Sequence, residues 1–576
     1  MADDYDADHV DAVFAAARAA LVGARTFEAY RLQVVSTGPA IIAPKEDADL
    51  LILGKIFAGL GERPVANLSP GANLAIAGSA GSWLTGQFWG QYVAFLSDPY
   101  RHRVHIIRDP TGAVPCYYVE NNGTVYAASD VDILSRCGLL HREIDWVEIA
   151  RTLIADQLRP ASTALVGLRE LLAGERMTVD RDGAAVDQIW SPWSFAARDK
   201  QILDEQEAVD AVRATALGCV RSLASSYEKI LLSLSGGLDS SIVAACLKEA
   251  GANFECLTMA TLEPAGDERH HAGVVANATG SRLHIAYEQA DLVNLTACAG
   301  HYLPRPIARA FAQSGDHAHS VLADEHGLDA YFGGAGGDNV FCFLQSAAPV
   351  ADRLLDGELA GAWSTAAHIS ELAEVNAIRV YAKAIERAWL RRRGYRWPLD
   401  TSFVNPSASA DLGMAADHPW LHAPAAARPG KAGHIASIMK IQNHLEGFPR
   451  ELVRPIISPL LAQPLMEVCL RIPSWMWCEG GRDRAIARRA FEGLLPRAIL
   501  DRRQKGTPDG FIARLYDEKR LAIRDMLTDG ALAEQGLIDL DAIVKTVSTA
   551  APATGIAFFR IMALVDVEMW VQSQLD

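Results

Sequence analysis

A seven-residue run, Ser235-Gly236-Gly237-Leu238-Asp239-Ser240-Ser241, holds the residue types that bind a polyphosphate. Its glycines let backbone N–H groups approach an anion closely, and its serine hydroxyls add donors. Asp239 is the odd member. A carboxylate beside a phosphate is repulsive unless a cation lies between them, so the run implies Mg²⁺, a hard ion that takes one or two carboxylates plus phosphate oxygens. The Gly-Lys-[Ser/Thr] ending of a Walker A loop is missing. The plainer alternative is a glycine turn with Asp239 capping a helix. A second run, Gly333-Gly334-Ala335-Gly336-Gly337-Asp338, follows the strand-like Asp329-Ala330-Tyr331-Phe332. It is either a flexible turn or a loop at a strand C-terminus, where open α/β sheets bind ligands. Residues 482–505 carry eight basic and three acidic side chains. They form either a solvated helix face or an anion clamp.

These residues need elements to position them. The apolar stretch Ile230–Leu234 precedes the first run and the helical stretch Ile242–Leu247 follows it. Strand, tight turn and helix N-terminus together suit an anion, because the helix dipole adds to the N–H donors. Upstream, Ala208, Val212, Ala216, Val220 and Leu223 share one helical face. Downstream, Phe254–Met259 and His284–Tyr287 alternate with helical patterns, which reads as βαβ units and a parallel sheet. The last 200 residues read as mainly helical, with Phe558–Val571 a terminal helix. The first 190 residues differ. Val104–Ile107, Cys116–Val119 and Val125–Ala128 are short β-rich runs, the last two joined by Asn121-Asn122-Gly123, a hairpin signal. A domain boundary is expected near 195–205, after Trp190-Ser191-Pro192-Trp193.

The bulk numbers narrow the class. Half of the 576 residues are hydrophobic and 22% are charged, which excludes a disordered or collagen-like chain. A net charge of −16 disfavours nucleic acid, whose binders neutralise phosphates. The first residues are acidic where a signal peptide is basic, and no apolar run nears the roughly 20 residues that span a bilayer. The nine cysteines form no C-x-x-C pair. Reduced buried thiols and a cytoplasmic location are therefore expected, with no membrane span.

Ser235–Ser241 resembles the pyrophosphate loop of the ATP pyrophosphatase superfamily, and specifically of asparagine synthetase-like enzymes. Trp89–Leu96, Arg108–Tyr118 and Gly481–Arg502 resemble further segments of the same family. The resemblance implies an α/β chain of two parts. Residues 1–200 would form an Ntn-hydrolase-like αββα sandwich of the class II glutamine amidotransferase type. Residues 201–576 would form a Rossmann-like ATP pyrophosphatase domain with helical additions. It implies ATP and Mg²⁺, with Asp239 and Asp338 holding the metal. It implies nucleotide contacts from Leu234, Ser235, Gly236, Gly237, Leu238, Asp239, Ser240, Ser241, Met259, Gly333 and Gly334. Lys505 would act in amide formation, or Gln504 if the alignment slips by one. Arg484 stands where the family has a second lysine, and a guanidinium holds pyrophosphate by bidentate bonds.

Two departures bear on the reaction. Family glutaminases use a cysteine exposed as the first residue, whereas this chain has Ala2, so glutaminase activity is not expected. Family members place Glu or a catalytic Tyr where this chain has Ala335. The Gly-Gly-Asp-Asn-Val-Phe pattern at 336–341 resembles the lasso-peptide cyclases of the microcin type. That implies adenylation of an Asp or Glu side chain in a ribosomal precursor peptide and macrolactam closure by its N-terminal amine, with a leader peptidase or leader-recognition protein as partner. A small-molecule amide or β-lactam synthetase is the alternative, and a non-catalytic ATP-binding scaffold the third. The basic run Arg379–Arg396 is either surface or a guide for an acidic leader. Glu446, Glu451 and Arg454 resemble the family's stretch beside the acceptor site.

Overall fold

The computed structural model describes residues 7–43, 49–262, 266–390, 394–410, 417–503, 506, 509–548 and 555–575. Its first part is built on a six-stranded sheet, antiparallel throughout. The strand order is Gly183–Gln188, Glu175–Asp180, Arg103–Arg108, Trp89–Asp98, Asp49–Phe57, Ala40–Ala43. A three-stranded sheet, Thr124–Ala128, Tyr117–Asn121 and Arg169–Glu170, stacks on it through Val93, Ile106, Cys116, Tyr118, Leu171 and Met177. Helices Pro70–Gly78 and Ser82–Gln87 pack Ile76 and Leu84 on the outer face of the large sheet. Helices Val131–Arg136 and Trp146–Ile154 cover the small one through Val131, Ile149 and Leu153. The result is an αββα sandwich. The 121–124 hairpin forms as its sequence directs: Asn122 and Gly123 both take positive φ, the turn whose twist matches the strands.

The second part holds five parallel strands: β1 Ile230–Ser233, β2 Phe254–Ala260, β3 Leu283–Tyr287, β4 Ala330–Phe332 and β5 Ile456–Ile457, in the order β3-β2-β1-β4-β5. Helix α1, Glu205–Ala224, precedes the sheet, and its predicted apolar face is buried. Helices α2 Leu238–Glu249, α3 Arg269–Thr279 and α4 Gln313–His326 connect the first four strands. Beyond β4 comes the single-turn α5, Gly337–Val340, and then mainly helix to Ala557–Leu575. The inner strands β1 and β4 are apolar and almost wholly buried, as a parallel sheet covered by helices requires, whereas the edge strand β3 is partly exposed. One expectation is corrected here. Leu238, Asp239, Ser240 and Ser241 are not loop residues; they form the first turn of α2, and the turn proper is only Ser235–Gly237.

The two parts share apolar cores. Phe57, Trp89 and Trp190 belong to one cluster with Val212 and Leu465, while Tyr117 and Ile149 join the terminal helix at Ile561 and Trp570 in another. Residues 191–204 contain no strand or α-helix and lie against the second part, with Trp193 Nε1 donating to the Trp420 carbonyl at 2.9 Å. All nine cysteines are free thiols, seven of them buried. Among the described residues, no helix is long and apolar enough to cross a membrane.

Candidate active site

β1 delivers the chain to the phosphate-type loop. Leu234 is buried and its N–H continues the strand to the Leu257 carbonyl at 2.9 Å. Gly236 then turns with φ +67°, and a Cβ there would lie 2.5 Å from His271 and Ala272 at the start of α3. Only glycine allows that approach. The Ser235 and Ser240 hydroxyls lie 3.2 Å apart, and the Gly237 N–H donates to Ser235 Oγ at 3.3 Å. Ser241 Oγ–H donates to the Gly237 carbonyl at 2.7 Å. These bonds fix the turn at the N-terminus of a 12-residue helix, whose dipole favours an anion. His319 of α4, 2.7 Å from Ser233 Oγ, braces the strand end; burial lowers its pKa.

The second loop closes on the first. Gly333 N–H donates to the Ile457 carbonyl at 3.1 Å, which sets the loop against β5. A Cβ on Gly334 would lie 2.5 Å from Ser240 N, and one on Gly337 would collide with the Asp239 side chain. The small residues are thus the condition for bringing α5 onto the first turn of α2.

Asp239 and Asp338, 99 residues apart in sequence, converge on one atom. Arg484 Nη1 donates to both carboxylate oxygens of Asp239, at 2.9 and 3.1 Å, and to Asp338 Oδ1. The Arg484 guanidinium also pairs with Asp483 at 2.6 Å, and Asp483 with Arg488 at 2.6 Å. Burial alone would lower the Arg484 pKa, but Asp239, Asp338 and Asp483 raise it above the ordinary guanidinium value. Asp239 is buried, whereas the Asp338 side chain is 47% exposed, so the pair opens to one side. Two carboxylates aimed at one point form a hard-oxygen donor set that fits Mg²⁺. Arg484 supplies the positive charge at that point.

The remaining predicted residues divide. Met259, near the C-terminal end of β2, is half-buried and faces Gly315 of α4. Lys505 and the alternative Gln504 lie outside the described residues. Their flanks are anchored beside the loop: Glu268 accepts from Arg502 at 2.5 Å and from the Gly506 N–H at 2.5 Å, and Arg502 also donates to the Gly236 carbonyl at 3.2 Å. Arg502 and Glu268 were missed individually. The basic run was visible, but nothing local marks which arginine reaches the loop, and Glu268 has no motif of its own. Arg454 points away, to Asp324 of α4 at 2.6 Å. Of the second basic run, Arg391-Arg392-Arg393 lie outside the described residues.

Glu446 and Glu451 line a cavity of about 490 Å³ between the two parts. Its walls include Trp89, Gly90 and Arg108 of the sandwich, and Ile457, Ser458 and Leu461 of the second part. Leu461 also packs under Gly336, so the cavity adjoins the second loop. Burial raises the Glu451 carboxyl above its usual range, and it accepts from the Tyr302 hydroxyl. Ala335 is exposed and brings no acid or base.

Comparison with known proteins agrees with this layout. Residues 74–190 match the glutamine amidotransferase domain model. Residues 211–435 and 455–572 match the asparagine synthase model. A carboxyethyl-arginine beta-lactam-synthase from Streptomyces clavuligerus is 34% identical over 161 residues, 28% of each chain. The glutamine-hydrolysing asparagine synthetase 1 of Bacillus subtilis is 21% identical over 76% of this chain and 71% of its own. A Bacillus subtilis glutamine phosphoribosylpyrophosphate amidotransferase structure aligns with 12% identity and a TM-score of 0.18, over 50% of this chain and 71% of that one. The asparagine synthase match spans more than half of the chain and contains both glycine loops, Asp239, Asp338 and Arg484. This chain therefore belongs to the asparagine synthase family, whose members are ATP-dependent carbon–nitrogen ligases.

Proposed function

We propose that the chain is an AMP-forming amide synthetase that joins a carboxylate to an amine of the same substrate. The observation that carries this reading is the meeting of Asp239 and Asp338 at one point beside a glycine turn and a helix N-terminus. Asp239 and Asp338 would hold Mg²⁺, which when bound screens phosphate charge and polarises phosphate oxygens. The N–H groups of the 235–237 turn and α2 cradle the β and γ phosphates of ATP. Arg484 shifts from the carboxylates to the pyrophosphate as it leaves, and Lys505 stabilises charge in the amide-forming step. The substrate carboxylate attacks the α-phosphorus, pyrophosphate leaves, and the amine then displaces AMP. An amine already held in the same molecule gains an effective molarity of roughly 10⁵ M or more when well oriented.

Two substrates remain in play, each with its own support. A cavity of about 490 Å³ has the size of a small-molecule site, and the beta-lactam-synthase relative points the same way. A small-molecule amide or β-lactam synthetase is therefore the better supported of the two. The base-free Ala335 loop favours a macrolactam synthetase acting on a ribosomal peptide. A peptide α-amine has a pKa of about 7.7–8.0 and reaches its neutral form unaided. In either case residues 1–200 serve as a wall of the substrate chamber.

The test is nucleotide turnover with Mg²⁺ and two substrate sets, small amino acids bearing a free carboxylate and short precursor peptides. AMP and pyrophosphate should appear together with a product lighter by one water. ADP and phosphate would overturn the reading. In Lys505→Ala, turnover should fall with little change in the apparent ATP affinity.

A further inference from the structure

A second cluster of ligating groups lies away from this site. Glu255 is the second residue of β2, His284 the second of β3, and His326 the last of α4. They sit at the N-terminal ends of the strands, opposite the glycine loops. His284 Nε2 lies 2.5 Å from Glu255 Oε2, and His326 Nδ1 lies 3.0 Å from the same oxygen. The two imidazole rings meet edge to face, 4.7 Å between centroids. Among the described residues, no other group of three His, Cys, Asp or Glu side chains brings its ligand atoms together in this way.

We propose that Glu255, His284 and His326 form a binding site for a divalent transition-metal ion of the Zn²⁺ class. Three separate elements aim two nitrogens and one carboxylate oxygen at a shared spot, with all ligand atoms within 4.8 Å of one another. Imidazole with carboxylate suits Zn²⁺ and its neighbours, whereas Mg²⁺ prefers oxygen alone. Tetrahedral Zn²⁺ with bonds of about 2.1 Å spaces its ligands about 3.4 Å apart. The short His284–Glu255 contact would thus open by roughly 1 Å, within reach of a Glu255 side-chain rotation. The side chains are 15–23% exposed, so an ion has access and water can complete the shell.

The ion would clamp three elements. β3 is the edge strand of the parallel sheet, and α4 is the helix whose His319 braces the phosphate-type loop. The metal is structural in this scheme and touches no reacting atom.

The test uses the full chain without an affinity tag, stripped with a chelator and titrated with Zn²⁺ alone. Wild type should bind one ion per chain at this site and show a higher thermal midpoint. His284→Ala and His326→Ala should lose both effects. Changes in outer-shell partners alone cost metal sites about 10–100-fold, so loss of a direct ligand should weaken binding by more than about 100-fold. Glu255→Gln keeps a hydrogen-bond acceptor and guards against misfolding; it should match the metal-free wild type in thermal midpoint and fail to respond to Zn²⁺. Absence of saturable one-to-one binding, or binding that all three variants retain, would overturn the site.

Discussion

Arginine meets carboxylate in two places, with opposite balance. In the sandwich, Glu170 is fully buried and receives Arg108 at 2.6 Å, Arg159 at 2.8 Å and Arg305 at 2.7 Å. One carboxylate faces three guanidiniums, and Arg305 comes from the other part of the chain. The remaining donors are spent on carbonyls and one further carboxylate: Arg108 bonds Val114, Gly112 and Leu171, Arg305 bonds Ser162 and Pro160, and Arg159 bonds Glu446 at 2.5 Å. At the glycine loops, two carboxylates crowd one nitrogen of Arg484, and one of them is half exposed. In the first arrangement guanidiniums outnumber carboxylates, three to two. In the second, among the described residues, two carboxylates share one guanidinium nitrogen and one of them faces solvent. An excess of guanidinium joins two parts of the chain; an excess of carboxylate is the balance that the proposed Mg²⁺ site calls for.

The sharpest way to break this contrast is to remove a carboxylate from the site at the glycine loops. Asp239→Asn and Asp338→Asn should each lower ATP-dependent pyrophosphate release by about 10³-fold, the upper range for losing one electrostatic contact at a reaction centre. Thermal midpoints should stay near wild type. Full activity in either variant would make this site one more structural knot.

The mirror experiment is Glu170→Gln. Leaving Arg108 and Arg305 without a carboxylate, and Arg159 with Glu446 alone, should cost about 3–5 kcal/mol in denaturant unfolding. The sign with pH follows from the shift. The three arginines hold the folded Glu170 pKa below its ordinary value against burial. Its contribution is therefore present above the unfolded value of about 4.3 and lost as pH falls below it. Stability measured from pH 5 downward should fall less steeply in Glu170→Gln than in wild type.

Arg484→Ala sharpens the contrast differently. It should lower pyrophosphate release by about 10²-fold, yet tighten Mg²⁺ binding measured calorimetrically without nucleotide. A turnover loss with unchanged or weaker Mg²⁺ binding would mean that Arg484 does not stand in for the cation. The smallest effect belongs to Arg502→Ala. Losing its bonds to Gly236 and Glu268 should raise the apparent ATP dissociation constant about tenfold, or about 1.4 kcal/mol, with turnover little changed.

The strand before the first glycine run, the 121–124 hairpin and the apolar face of α1 were all legible, because periodicity and turn chemistry are local signals. The first turn of α2 was read as loop for a local reason too: Asp-Ser-Ser is a poor helix interior by propensity, and tertiary burial overrides it. The role of Arg484 was half legible. Its type and place suggested a pyrophosphate ligand; its hold on both aspartates, through a backbone turn at φ +51°, was not foreseen. Glu170 gave no signal, since its three partners are 11, 62 and 135 residues away.

From the chain of letters alone came the nature of the chemistry: a glycine turn for phosphate, an acid that needs a metal, and strands alternating with helices to carry them. Residue type and short spacing set those properties, because they arise from sterics and hydrogen bonding within a few residues. Folding decided which distant groups meet. Glycines at 334 and 337 allow two helix starts to touch, so two acids share one arginine. Two histidines and a glutamate gather on the far end of the sheet only because parallel strands and a returning helix bring their ends together. Coulomb energy and coordination depend on distance in space, and distance along the chain does not report it.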